Sequence, residues 1–228
     1  MIVVVASRRD GAAERLVASW GLESSALLRA EDLSAQGWRV EYPPGNSGQA
    51  VVSGRVLPED AVRGVLVRLP VVTEDEIPRI SQEDRAYVAA EMTAFLVAWL
   101  SSLACPVLNR PCPTNLLGPN LRNEQWVQMA ARLGFMVEAV RRQHQLGGSD
   151  PVAASPVGMT TVFVVGERSL GAASARQAST ALRLARAAGV ELLRVHFRGD
   201  AVAGADYAMD LDDRRIVEAL AARFQLPV

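Results

Sequence analysis

The sequence predicts an α/β protein, with a small doubly wound α/β domain first and a reduced α+β domain after it. Three observations carry this. The chain opens on a continuous apolar run, Ile2-Val3-Val4-Val5-Ala6, the pattern of a central parallel strand buried on both faces. Through the first 135 residues, short β-branched runs alternate with segments of helical periodicity. Beyond residue 160 the order becomes strand, hairpin, helix, strand and final helix, as in an α+β unit.

Taken in order, the first strand is followed by the turn Ser7-Arg8-Arg9-Asp10. A helix comes next, with Ala13, Leu16, Val17 and Trp20 on one face, Ser7 or Asp10 as its cap and Gly21 as its stop. Strands are expected over residues 26–32, 38–42, 50–57 and 65–69, with an exposed turn-rich loop over 43–48 and a short helix start at Pro58-Glu59-Asp60. Ser81-x-x-Asp84 is a variant capping box opening a helix to about Leu103, with Tyr87, Met92, Phe95, Leu96 and Trp99 as core candidates. Residues 106–109 read as an extended segment. Asn123 is expected to cap a helix that buries Trp126, Met129, Ala130 and Leu133 and stops at Gly134. A strand over 135–140, a linker over 147–156, and a strand over 160–165 turning at Gly166-Glu167 follow. An alanine-rich helix over 173–188 stops at Gly189. Strands over 192–197 and 205–209 and a helix over 212–224 close the chain. The expected domains are 1–80, a helical hinge region over 81–145, and 146–228.

Composition excludes several functions. The 228 residues are 50% hydrophobic and 21% charged, with a net charge of −1, so bulk electrostatics favour neither nucleic acid nor an anionic membrane. No apolar run is long enough to span a bilayer, and the apolar start is too short for a signal-peptide core, which gives the expectation of a cytoplasmic protein. Cys105 and Cys112 lack a zinc spacing and read as free thiols. No metal site is expected. All 24 basic Lys/Arg positions are arginine, so Schiff-base lysines, lysine general bases and lysine phosphate clamps are ruled out. Gly45, Gly48 and Gly54 do not form a phosphate loop, and no Gly-x-Ser-x-Gly element supports a hydrolase.

The stretch from Gly64 to Phe135 carries the most specific pattern. A strand ends in Arg68-Leu69-Pro70, and a long helix bears Glu91. The run Leu108-Asn109-Arg110-Pro111 follows, then a helix from Asn123-Glu124 through Ala130 to Gly134-Phe135. Further on stand Phe163-Val164-Val165-Gly166-Glu167-Arg168 and the helix and strand over 182–197. This ordered set resembles the ATP-grasp superfamily, in the branch of RimK-like and microviridin-type peptide ligases. The resemblance implies a pre-ATP-grasp-like doubly wound α/β domain joined to a reduced ATP-grasp-like α+β domain.

The departures are chemical. The family holds ATP with lysines, one of them opening the helix after the Asn, where this chain has Glu124. The interval between Gly134 and Thr160 is short for a nucleotide-clamping subdomain, so the chain reads as truncated. The family carries magnesium on a strand Asp and a Glu-x-Asn element. Here His196 replaces the strand residue, and Asp206-Tyr207-Ala208-Met209-Asp210 offers carboxylates without the Asn. The expectation is a non-catalytic, peptide-binding or regulatory subunit in peptide or natural-product modification. It would use no cofactor and would act as a homodimer or with a partner enzyme or peptide. The alternatives are an active carboxylate–amine ligase with an Arg-based nucleotide site, or another enzyme on the reused scaffold. Candidate ligand contacts are Arg8, Arg9, Arg68, Asn109 and Arg110, since arginine recognises carboxylates bidentately. Candidate acid/base groups are His196 and Glu91, with His144 as the second histidine of the chain.

Overall fold

The computed structural model describes residues 1–41, 48–140 and 158–226. His144, the linker and the loop over 43–47 lie outside these residues. The chain divides into two compact units, residues 1–120 with 210–228, and residues 121–209.

The first unit is built on a parallel sheet of four strands in the order β2-β1-β5-β6, made of β1 (Ile2–Val5), β2 (Ser25–Leu28), β5 (Gly64–Val67) and β6 (Val107–Leu108). All four residues of β1 and of β5 are buried, which explains their unbroken apolar sequence. One face packs Val3, Val5, Val65 and Val67 against the long helix α2 (Arg85–Ser102) through Met92, Leu96 and Trp99. On the other face lies Gly64, where a side chain would collide with the Phe224 ring at 2.6 Å. Helix α1 (Gly11–Trp20) starts at Asp10, whose carboxylate accepts the Ala13 N–H. Of the two caps expected, Asp10 is the one used.

Two expected strands are corrected here. The run over 50–57 is a hairpin, β3 (Gln49–Val52) and β4 (Arg55–Pro58), because Ser53 and Gly54 both take positive φ and turn the chain. It pairs with itself and stands outside the parallel sheet. The run over 26–32 ends as a strand at Leu28. Residues Ala30–Ser34 wind into a 3-10 turn because the Asp32 carboxylate accepts the Arg29 and Gly54 N–H groups. Of the strand over 38–42, the bridge Arg39–Gln49 is present.

The second unit is an antiparallel sheet in the order β10-β9-β7-β8, made of β7 (Met159–Val165), β8 (Arg168–Leu170), β9 (Leu192–Arg198) and β10 (Ala201–Asp206). Helices α3 (Asn123–Arg132) and α4 (Ala175–Ala188) cover one face. They place Trp126, Ala130, Ala181 and Leu184 on Val162, Val164, Val195 and Phe197. The last strand begins four residues earlier than its sequence suggested, because Gly199 rather than a longer loop makes the turn after β9. The strand over 135–140 is reduced to one bridge, Val137–Val202. Asn123 does not cap α3. Gln125 accepts the Arg122 N–H, while the Asn123 amide donates to the Ala203 carbonyl at 3.2 Å. The final helix α5 (Arg214–Arg223) belongs to the first unit. Both cysteines are free thiols, and no helix among the described residues is long and apolar enough to cross a membrane.

Candidate functional site

Strands β1 and β5 sit side by side, with β2 beyond one and β6 beyond the other, so their carboxyl ends flank the reversal point of the sheet. Open α/β sheets commonly bind ligands at such a point. Here the chain fills it with its own contacts. Arg68, at the end of β5, donates from Nε to Asp10 Oδ2 at 2.7 Å and from Nη2 to Asp10 Oδ1 at 3.3 Å. Both side chains are mostly buried, at 17% and 16% exposure. Burial alone would push the Asp10 carboxyl up. The Arg68 hydrogen bond and charge, with the Ala13 and Ala12 N–H groups, outweigh it and hold the carboxyl below its usual range. Glu76, also buried, accepts the Ser7 hydroxyl at 2.6 Å and the Arg8 N–H at 3.0 Å. The Arg9 guanidinium is exposed and pairs with Asp75.

The second group of predicted contacts follows β6. Arg110 donates to four carbonyls, those of Leu100, Ser101, Leu103 and Cys105, at 2.9 to 3.3 Å. A helix end leaves its last carbonyls without partners, and Arg110 collects two from the last turn of α2 and two from the residues just beyond it. Asn109 is buried and donates from Nδ2 to the Leu117 carbonyl at 3.0 Å, holding the loop that begins at Pro111. Glu91 is exposed on α2. Arg68, Arg110 and Asn109 thus serve the first unit's own architecture, Arg8 and Arg9 are exposed, and His196 lies in the other unit.

His196 has company. Strand β9 alternates, with Leu193, Val195 and Phe197 buried under the helices and Arg194, His196 and Arg198 on the opposite face. Among the described residues, that face carries no helix of this unit. Cross-strand register sets Asp206 opposite Arg194 and Thr161 opposite His196. Arg194 grips Asp206 with Nε on Oδ1 at 2.8 Å and Nη2 on Oδ2 at 2.9 Å. His196 Nε2 lies 2.9 Å from Oδ2, and the Ala208 N–H donates to Oδ1 at 2.8 Å. Burial pushes the Asp206 carboxyl up, but the bonds from His196, Arg194 and Ala208 and the Arg194 charge bring it down to about 2. An ionised carboxylate only accepts, so His196 Nε2 carries the hydrogen. Nδ1 then faces the Thr161 hydroxyl at 3.4 Å. Outward, Arg198 pairs with Glu138 at 2.9 Å.

These residues do not fit a magnesium ion. A carboxylate offers about four lone-pair directions. Asp206 spends them on Arg194 twice, on His196 and on Ala208. Magnesium needs hard oxygen ligands, and the neighbouring strand position is an imidazole. Sequence reading singled out His196 and Asp206 and missed Arg194 and Thr161. The alternation of β9 held the signal, because every second residue of Arg194-Val195-His196-Phe197-Arg198 is polar.

No family model and no curated protein sequence matches the chain. Solved structures do. The macrocyclase MdnC bound with precursor peptide MdnA, from Microcystis aeruginosa MRC, is 12% identical with a TM-score of 0.65, over 99% of this chain and 99% of that chain. The ATP-grasp ligase PsnB complexed with minimal precursor, Mg and ADP is 13% identical with a TM-score of 0.67, over 98% of each chain. The Chryseobacterium gregarium RiPP-associated ATP-grasp ligase, in complex with ADP and a leader and core peptide, is 10% identical with a TM-score of 0.64, over 98% of this chain and 96% of that chain. The likeness runs almost from end to end of both partners in each comparison. The chain has the fold of the RiPP-type ATP-grasp ligases.

Proposed function

We propose that the chain is a non-catalytic ATP-grasp-like protein that binds a peptide or a partner enzyme in peptide or natural-product modification, alone or as a homodimer. The observation that carries this reading is the state of Asp206. Its carboxylate is engaged by Arg194, His196 and the Ala208 N–H, so no lone pair is left for a divalent ion. The missing lysines and Glu124 at the start of α3 support it from the nucleotide side. The peptide part draws on the solved relatives, whose structures hold precursor peptides.

Calorimetry tests both parts. Titration of the full chain with Mg²⁺-ATP is expected to give no heat of binding. A short precursor-like peptide encoded beside its gene is expected to bind, and to bind equally well in EDTA. A micromolar isotherm for Mg²⁺-ATP sinks the non-catalytic reading, and peptide binding that disappears in EDTA sinks the metal-free one. A second reading, a different enzyme on the reused scaffold, has one observation in its favour. The His196–Asp206 contact with Thr161 on the other ring nitrogen is an acid/base arrangement.

A further inference from the structure

We infer that Arg194, seconded by His196, is the resident cation on the face of the second sheet opposite α3 and α4, in the position where a divalent ion would otherwise neutralise Asp206. The inference rests on the non-catalytic reading and adds a cause to it. The face would be satisfied by protein groups and so would not respond to metal. The sheet register dictates the arrangement. Arg194 and Asp206 are directly opposed across β9 and β10, so the guanidinium needs no unusual conformation to lie side-on to the carboxylate. Paired N–H donors match two carboxylate oxygens in one plane, which a point cation such as lysine cannot do. His196 supplies the third donor from the same strand, two residues on, and so from the same face.

The cluster is half-buried, with side-chain exposures of 32% for Arg194, 24% for His196 and 40% for Asp206. A carboxylate placed so needs a counter-charge. Arg198 and Glu138 make a second, separate pair on this face. An incoming Mg²⁺ would have to displace an arginine held at two points and then meet an imidazole. Neither step suits an ion that sheds its water reluctantly and prefers oxygen.

Exchange of the resident cation for ligands should therefore create a metal site. Mn²⁺ titrated into the full chain and followed by electron paramagnetic resonance provides the probe. The wild-type protein is expected to leave Mn²⁺ free. The variant Arg194→Gln with His196→Asp releases Asp206 and adds a second carboxylate, and is expected to gain one Mn²⁺ site roughly tenfold or more tighter than any in the wild type. Adding Asp206→Asn to that variant is expected to remove the site. A wild-type Mn²⁺ site abolished by Asp206→Asn overturns the inference, as does a folded double variant with no gain.

Asp206→Asn alone gives an independent arm, should the double variant not fold. It leaves the Arg194 guanidinium without its counter-charge, so sulfate is expected to raise its melting temperature more than that of the wild type. Equal shifts overturn the inference. No nucleotide enters either arm. A Mg²⁺-ATP isotherm with a metal-free Asp206 would thus sink the proposed function and leave the resident cation standing.

Discussion

Arg68 shows how a residue that is ready for a ligand can be spent on the fold. Its guanidinium is locked to Asp10, and Asp10 in turn caps α1. Removing one member of a mostly buried pair strands the other, which costs about 3 kcal/mol. Arg68→Met, which keeps the aliphatic packing, is therefore expected to lower stability by about that amount at neutral pH, read by denaturant unfolding. The pH dependence has a definite sign. The Asp10 carboxyl is held below its usual value in the folded chain, so its contribution is complete above about pH 5 and is lost as pH falls through the folded value. The gap between wild type and Arg68→Met should narrow from about pH 5 towards pH 2, and a gap that widens on acidification would reject the assignment. Sequence shows an arginine and a strand end, but it does not show a partner 58 residues away. The same holds for Arg110, whose acceptors are backbone carbonyls and so have no residue signature at all. The face that His196 occupies, by contrast, can be read from the alternation of β9.

Elements that bury a face on one side, or on both, were readable from periodicity. Strands β1, β5, β7 and β9 and helices α1, α4 and α5 lie close to where apolar spacing puts them. Elements decided by a contact were not. The strand expected over 26–32 gave way to the Asp32 carboxylate, and the Asn123 cap gave way to a contact between α3 and β10. The latter contact is tight. A side chain at Gly204 would stand 1.9 Å from Asn123 Oδ1 and 2.8 Å from its Cγ. The whole amide would have to swing away and give up the Ala203 carbonyl. Gly204→Ala is expected to cost about 1–3 kcal/mol, and clearly less in an Asn123→Ala background, where the obstruction is gone. A double-mutant cycle by thermal or urea unfolding measures the coupling. A cycle that closes without an interaction energy would show that Gly204 answers to strand geometry and not to α3.

At the scale of the molecule, the chain leaves the first unit near residue 120 and comes back to it at residue 210. Nothing in local periodicity announces that return, since α5 reads as an ordinary amphipathic helix wherever it docks. Its partners settle the matter. Ile216 and Leu220 are fully buried, and Phe224 meets Trp20 edge-on at 6.0 Å and fills the space left by Gly64. Gly64 is thus the mark of a close approach by a residue 160 positions later, and no strand or turn rule explains it better. Phe224→Ala opens a cavity against the sheet and is expected to cost about 3–5 kcal/mol, a large share of a domain's stability. The loss should fall on the unit that contains β1 and α1 and spare the antiparallel sheet. Hydrogen exchange separates the two, because amides of β1 and β5 should lose protection in Phe224→Ala while those of β7 and β9 keep theirs. Equal loss in both sheets would mean that the units unfold as one, and the assignment of α5 to the first unit alone would fail.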